Sequence, residues 1–573
     1  MPGILGIISK RSKEVNNNEL ELMRGFLHME AFYHSGKLAF ADCGVYVGWT
    51  CHKGAFSDCG PINNEKKDIT LIYSGENFND PEDMDEIKKR NHSYDKKNAS
   101  YIVHMYEEWG EDFLLMLNGN FHGLLIDRRN GKVILFNDRY GLHRLYYYEG
   151  KGAFYFSTEA KAILGVLPSD AKQINIHSLA EFFSYGCVLD NRSLFQDIFL
   201  LPGGSAWIFE EDGRIDKKTY FHPSNLETQP LLENEFHYER LVYTLQKLLK
   251  RYFRAEDRIG IPLSKDLGVR VILANALYGP EKVPCYTLSG HFVNTEDLKI
   301  ARQIAEVTGQ ALHIIAPDDN FVTEYPRLMQ DVLFISDGAV DISGAAELYF
   351  HERAREIAPI QVTGTYGGVV LRKDRLIHSS SLDEHLFNRE FLNVVKEVAG
   401  RFKELSSDSL TFSLSKAIPW SCSGKLSIGQ SQMAVRTPLL DNDLVGLMYR
   451  ALDEVREDEG TCVRLIRDGN PLLAEKTDSK VRGVLGSLLG FLRKQDHENR
   501  SPYRGLWFRN ELSGWMMEVL MDRRSMERPY LNKSYLEKII TDNTHGKENH
   551  TEAITALINV ELIHRLFIDR LHD

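Results

Sequence analysis

Between residues 258 and 315 the chain alternates strand and helix. Arg258–Leu263 reads as a strand, with a helix following to Leu277. Val283–Leu288 is a second strand, Thr295–Thr308 a helix, and Ala311–Ile315 a third strand. Parallel neighbours need a crossover between them, so this alternation predicts a doubly wound parallel α/β sheet. Such sheets bind ligands at the carboxyl ends of their strands, which makes the loop Ser264–Arg270 the first candidate site.

The rest of the chain is patterned differently. Residues 1–165 are β-rich, with strand runs at Gly3–Ile8, Lys132–Phe136 and Ala153–Ser157. Asn98–Trp109 carries Tyr101, Ile102, Met105, Tyr106 and Trp109 at helical spacing, and Ile176–Tyr185 follows Asn175 as a plausible N-cap. Residues 222–236 lose periodicity and hold two prolines, which predicts a linker between domains at 1–221 and 237–573. After residue 380 the pattern is mainly helical. A chain of 573 residues is too long for one core.

Charge and cysteine content exclude several function classes. The net charge of −12 argues against nucleic acid or anionic lipid as the main partner. No stretch reaches the roughly 18–20 apolar residues of a membrane span, and the longest candidate is Val484–Leu492. The start, MPGILGIISKRSKEV, places its charges after the apolar run, unlike a signal peptide. Seven cysteines are few for this length, so no disulfide framework is expected and a cytoplasmic setting is. Cys43, Cys51, His52 and Cys59 fall close together, but their wide spacing lacks the tight turn of a zinc site and reads as buried strand residues, so no metal is expected.

In order along the first half come Leu117-Asn118-Gly119-Asn120-Phe121, Asp127, Asn137-Asp138-Arg139-Tyr140-Gly141, Leu145-Tyr146-Tyr147 and Phe156–Leu164. This series resembles the glutamine amidotransferase domain of the asparagine synthetase family. The resemblance continues through Ser193–Ile198, Leu201–Gly204 and Tyr220-Phe221. In the second half it takes in Pro262-Leu263-Ser264, Thr363–Gly368 and Arg436-Thr437-Pro438-Leu439-Leu440-Asp441. It implies an Ntn-hydrolase-like αββα sandwich followed by an adenine-nucleotide α-hydrolase-like sheet with a helical extension.

The resemblance also shows what has changed. The family's glutaminase nucleophile is a cysteine at the position held here by Pro2, which offers no thiolate for a thioester. The glutamine-gripping positions correspond to Ser74, Gly75, Glu76 and Asn98, a vestigial pocket by this reading. The arginine expected in Trp49–Lys53 is missing, and Lys53 lacks its bidentate fork.

The family's nucleotide loop uses glycines for close backbone approach to phosphates and an aspartate for Mg²⁺. Here that loop is Ser264-Lys265-Asp266-Leu267-Gly268-Val269-Arg270. The two early glycine positions carry side chains and the aspartate position is Gly268. The second glycine loop, Gly364, Gly367 and Gly368, is followed by Val369 where the family has an acid. Lys476, Asp478 and Lys480 fall in the family's basic phosphate-facing loop, and Asp266, Asp337 and Asp341 are the carboxylates that position offers to a metal.

Two expectations follow. One is a protein without glutaminase chemistry or ATP-dependent adenylation, needing no cofactor and acting as a scaffold or regulatory partner, as a homodimer or as a heteromer with an active relative. The other is a diverged ATP- and Mg²⁺-dependent ligase that forms an amide from a small-molecule acid and ammonia or another amine in a biosynthetic pathway.

Overall fold

The computed structural model describes residues 1–27, 30–80, 87, 89–90, 92–276, 279, 281–290, 295–380, 383–477 and 502–569. Asp478, Lys480 and the run Val484–Leu492 lie outside the described residues, as do Leu277 and the side chain of Lys476.

In chain order the strands of the first part are β1 (Gly3–Ser9), β2 (Tyr33–Phe40), β3 (Val45–His52), β4 (Ile62–Asn63), β5 (Ile69–Gly75), β6 (Phe121–Asp127), β7 (Lys132–Asn137), β8 (Tyr146–Gly150), β9 (Ala153–Ser157), β10 (Phe199–Leu200), β11 (Ser205–Phe209) and β12 (Ile215–Thr219). They form two six-stranded antiparallel sheets, ordered β10-β8-β9-β1-β3-β2 and β12-β11-β7-β6-β5-β4. Ile4, Val47 and Phe156 of the first sheet pack against Ile72, Leu124 and Leu135 of the second. Helices cover the outer faces. Lys13–Gly25 packs with Ala160–Val166 on one side, and Ile102–Trp109 buries Ile102, Val103, Met105 and Tyr106 on the other. This is the expected αββα sandwich.

The predicted helix at 98–109 is divided. Asn98 caps a 3₁₀ turn, Ala99–Tyr101, by accepting from the Ser100 amide, and the α-helix begins at Ile102. Ile176–Tyr185 forms as predicted, capped by Asn175. Within 222–236 a 3₁₀ turn spans Pro223–Leu226, and the long helix Asn234–Tyr252 starts before the stretch ends.

The second part is built on β13 (Ile259–Pro262), β14 (Cys285–Leu288), β15 (Leu312–Ile315), β16 (Ile360–Val362) and β17 (Ala434–Arg436). They pair in parallel in the order β15-β14-β13-β16-β17. The chain runs outward from β13 to β15, then returns to the other side as β16. The topological switch point therefore lies between β13 and β16. The loops leaving the carboxyl ends of these two strands are Leu263–Asp266 and Thr363–Tyr366. Beyond residue 383 the described chain is helical apart from β17. No helix among the described residues is long and apolar enough to cross a membrane.

A seam of buried charges joins the two parts. Arg144 and Asp337 meet at 3.1 Å, with both side chains at most 1% exposed. Lys161 pairs with Glu159 at 3.0 Å and with Asp337 at 3.5 Å. Asp337 also accepts from the amides of Ala160 and Lys161, and Arg144 donates to the carbonyls of Ser336 and Ile335. The Met1 amine donates to Glu159 at 2.8 Å. Burial alone would raise the Glu159 carboxyl, but Lys161 and the Met1 amine outweigh it and hold the group below the usual carboxylate range.

Asp337→Ala would strip the buried Arg144 and Lys161 of a shared counter-charge. It is expected to lower unfolding free energy by about 3–5 kcal/mol, read by urea denaturation. Glu527→Ala, which removes the exposed Arg523–Glu527 pair, is expected to cost less than about 1 kcal/mol.

Candidate functional site

The loop after β13 is shaped by a local cap. Asp266 precedes the helix Leu267–Asn275, and its carboxylate accepts from the Gly268 amide at 2.7 Å. The positive end of that helix is where an anion would bind, and the chain's own carboxylate already lies there. Arg270 is buried and donates to the Lys265 carbonyl at 2.8 Å, bracing the loop. Lys265 points outward, 55% exposed, with its ammonium 4.0 Å from Asp297. Ser264 accepts from the Asp266 amide.

The second glycine loop closes on the first. A Cβ on Gly268 would lie 2.3 Å from the Gly364 carbonyl oxygen, and one on Gly364 would lie 2.2 Å from the Val269 nitrogen. A Cβ on Gly367 would meet Leu439 at 2.7 Å. These glycines bring the two loops together. Val369 is buried, and its carbonyl accepts from Arg456 at 2.9 Å.

Asp374, which sequence reading did not single out, stands against Gly368: a Cβ there would lie 2.2 Å from a carboxylate oxygen of Asp374. Asp374 pairs with Arg372 at 2.6 Å, and Arg372 also holds Glu459 at 2.9 Å. Asp374 sits five residues past Val369, outside the motif spacing, so no local signal marked it. Of the other carboxylates, Asp337 belongs to the buried seam, and Asp341 caps the turn Ile342–Gly344. A cleft of about 360 Å³ lined by Phe253, Arg258 and Val283 opens near the start of β13, away from both loops. With a carboxylate at the helix end and side chains at both early glycine positions, the residues present do not fit a triphosphate with Mg²⁺.

In the sandwich, Pro2 is buried just before β1. Ser74, Gly75 and Glu76 stay together at the end of β5, but face different partners. The Ser74 hydroxyl bonds to Nε2 of His143 at 3.2 Å. Gly75 has φ +107°, and a Cβ there would lie 2.1 Å from the Asn120 carbonyl oxygen. Glu76 pairs with Arg436 of the second part, with oxygens 2.7 and 3.0 Å from the guanidinium. Asn98 is spent on its local cap. Lys53 donates to the Ala31 carbonyl at 2.9 Å.

The resemblance motifs meet at this same face. Asn118 donates to Asp441 at 2.8 Å and Asn120 to Thr437 at 3.0 Å, while Arg251 pairs with Asp441 at 2.9 Å. Asp138 is fully buried and accepts from the amides of Phe121, Tyr140, Leu142 and His143, so it shapes its own loop. Cys51 donates toward Asp58, Cys59 toward the Phe56 carbonyl, and His52 bonds to the Gln430 carbonyl. Cys43 is a free thiol, so these residues form no common ligand set among the described residues.

These geometries can be set beside known proteins. Residues 1–221 match the family described as "Glutamine amidotransferase domain". Glutamine-hydrolyzing asparagine synthetase 1 of Bacillus subtilis aligns along the chain at 18% identity, covering 100% of this chain and 97% of that protein. Along its whole length the chain is thus similar to asparagine synthetases, and residues 1–221 carry the glutamine amidotransferase domain. Asparagine synthetase 3 of Arabidopsis thaliana is 30% identical over 55% of this chain and 50% of its own length. A putative asparagine synthetase 2 of Methanocaldococcus jannaschii is 25% identical over 37% of this chain, and the match spans only 39% of that relative. A solved allosteric regulatory enzyme of purine biosynthesis overlaps 55% of this chain and 80% of its own, at 11% identity and a TM-score of 0.28, too loose to bear on the site.

Two buried histidines are expected to make the fold acid-sensitive. His122 and His143 lie ring to ring at 4.2 Å. Burial pushes His122 down to about 3 and His143 well below its ordinary value. Both are neutral when folded and protonate when unfolded below about pH 6.5. They therefore cost the fold nothing above that pH, and an increasing penalty appears as pH falls below it. Stability should drop by about 1.4 kcal/mol per pH unit for each histidine between pH 6.5 and 4.5. Urea denaturation across that range checks this, with His122→Gln giving a shallower slope.

Proposed function

We propose that this asparagine-synthetase-like chain acts by binding, as a scaffold or regulatory partner, and performs neither glutamine hydrolysis nor adenylation. The observation that carries the reading is Asp266. Its carboxylate occupies the helix N-terminus where a phosphate would be cradled, in a loop whose early glycine positions hold Lys265 and Asp266 themselves. Pro2 in the nucleophile position and the pairing of Glu76 with Arg436 support the same reading on the glutaminase side. The partner implied is a second copy of this chain or an active member of the family.

A second reading is an ATP-dependent ligase that forms an amide from an acid and ammonia or another amine. It is favoured by the exposed Lys265 ammonium and by the Asp374 carboxylate against Gly368, which offer a cation for phosphate and an acid near the second loop.

Calorimetric titration with Mg·ATP at millimolar nucleotide, with AMP as control, separates the two. The expected outcome is no heat and no thermal shift. Binding weakened tenfold or more by Lys265→Ala overturns the binding-protein reading and favours the ligase. A pyrophosphate-release screen over acids and amines would then be the next measurement.

A further inference from the structure

On the outer face of the sandwich, well separated in sequence from both loops, four side chains converge. Glu65 lies in the turn between β4 and β5, His92 in the segment leading to the capped helix, and His104 and Glu107 one turn apart on the helix Ile102–Trp109. One ligand atom from each lies within 4.8 Å of all the others. Nδ1 of His92 is 3.6 Å from a Glu65 oxygen and 3.7 Å from a Glu107 oxygen. Nδ1 of His104 is 3.7 Å from the other Glu65 oxygen and 2.8 Å from Glu107.

Three of these four separations are too long for hydrogen bonds. The two from His92 are close to the edges of a zinc tetrahedron, about 3.3–3.5 Å for metal–ligand distances of about 2.0–2.1 Å, while His104 faces the other oxygen of Glu65, so that exposed carboxylate would turn to present one atom to both histidines. The fourth, His104 to Glu107, is a hydrogen bond that would open by a few tenths of an ångström to admit an ion between its atoms.

The groups behind these ligands are ordered as a metal site requires. Nε2 of His92 is 2.8 Å from a Glu108 oxygen, which leaves Nδ1 facing the cluster. A carboxylate behind a ligating histidine fixes its tautomer and raises its basicity. The second oxygen of Glu107 accepts from Asn64 at 2.8 Å, and Asn64 is itself 2% exposed and bonded to Asp68. Glu65 accepts from the Ser93 amide at 3.1 Å. His104 is 2% exposed and His92 14%, so the nitrogens sit in a partly dry recess open on the Glu65 side.

Two neutral imidazoles and two carboxylates balance a divalent cation, and this donor set suits a borderline transition metal. The rings of His92 and His104 stack at 4.4 Å and 24°, so they must splay to aim both lone pairs at one ion. The second such group among the described residues, Asp542, Glu548 and His550 in the C-terminal helical part, has one histidine only, and its acids engage Lys547 and His550.

We propose that Glu65, His92, His104 and Glu107 form a structural zinc site that clasps the helix Ile102–Trp109 to the turn between β4 and β5. With four protein ligands the coordination shell is closed, so the ion holds the sandwich edge together and activates no water. Binding releases any proton held on the histidines, so affinity falls as the solution becomes acidic.

The test uses the full chain, stripped with chelator and then titrated with Co²⁺ and Zn²⁺. The expected result is one equivalent of Co²⁺ giving the visible bands of a tetrahedral site, displaced by Zn²⁺, with zinc raising the melting temperature. His92→Gln and Glu65→Gln sit on the more open side of the cluster and should fold. They are expected to weaken cobalt binding at least tenfold and to abolish the zinc-induced thermal shift. Cys51→Ser and His550→Ala should leave both readouts unchanged. Folded wild type that shows no cobalt bands and no zinc heat overturns the proposal, leaving a histidine–carboxylate clasp without metal. So does binding unchanged in His92→Gln and Glu65→Gln, or binding lost in Cys51→Ser or His550→Ala.

Discussion

Charges taken out of water at the junction of sandwich and sheet constrain everything else. Arg144, Lys161, Glu159 and Asp337 are each at most 1% exposed. An unpaired ion in that position would cost several kcal/mol even after relaxation. Arg144 finds its counter-charge on the opposing part, in Asp337, and Lys161 is shared between Asp337 and Glu159 of its own part; the bonds that supply these counter-charges are directional. A small rotation of the two parts would break the guanidinium of Arg144 from Asp337 and from the carbonyls of Ser336 and Ile335 together. Apolar burial would tolerate such a slip far better, since it is non-directional. The seam thus sets the domain orientation as well as joining the domains.

This gives the shared motifs a structural task that does not depend on catalysis. Asn118 and Asn120 come from the motif that identifies the amidotransferase domain, and Asp441 and Thr437 from the motif that identifies the second. They bond to one another across the junction. Glu76, a glutamine-gripping position by resemblance, is paired to Arg436, whose guanidinium also donates to the Tyr252 and Arg254 carbonyls. These residues are held by structural work whatever becomes of catalysis. A motif match here is evidence of shared architecture, and the site must be argued from other residues.

What was legible in the sequence was local. The helix Thr295–Thr308 and the strand Ala153–Ser157 have the ends that their periodicity predicts, because amphipathic spacing and flanking glycines act over a few residues. Asp266 was half legible: an aspartate one residue before an apolar helix is an N-cap signal, yet beside a nucleotide loop it reads first as misplaced charge. The pairing of Glu76 with Arg436 spans 360 positions and leaves no local trace. The cluster at Glu65, His92, His104 and Glu107 is hidden for the same reason. Only His104 and Glu107 share a helix, and the spacings 65 to 92 and 92 to 104 match no metal motif. Residue type points instead to Cys43, Cys51 and Cys59, which the fold does not gather into a ligand set among the described residues.

Magnitudes decide how much Asp266 can explain. An N-cap is worth about 0.5–2 kcal/mol. A bound triphosphate with its metal gains far more, so the cap alone would be displaced by a cradle otherwise intact. On the proposed reading, the greater obstacles are steric and electrostatic. By the resemblance, Lys265 and Asp266 stand where close backbone approach requires glycine, and Gly268 where a carboxylate would balance Mg²⁺. The remaining glycines, Gly268 and Gly364, let the two loops touch each other. The switch point between β13 and β16 survives because sheet topology depends on hydrophobic burial and crossover handedness. The cradle at its mouth depends on a few side chains, and those are free to change while the sheet beneath them stays the same.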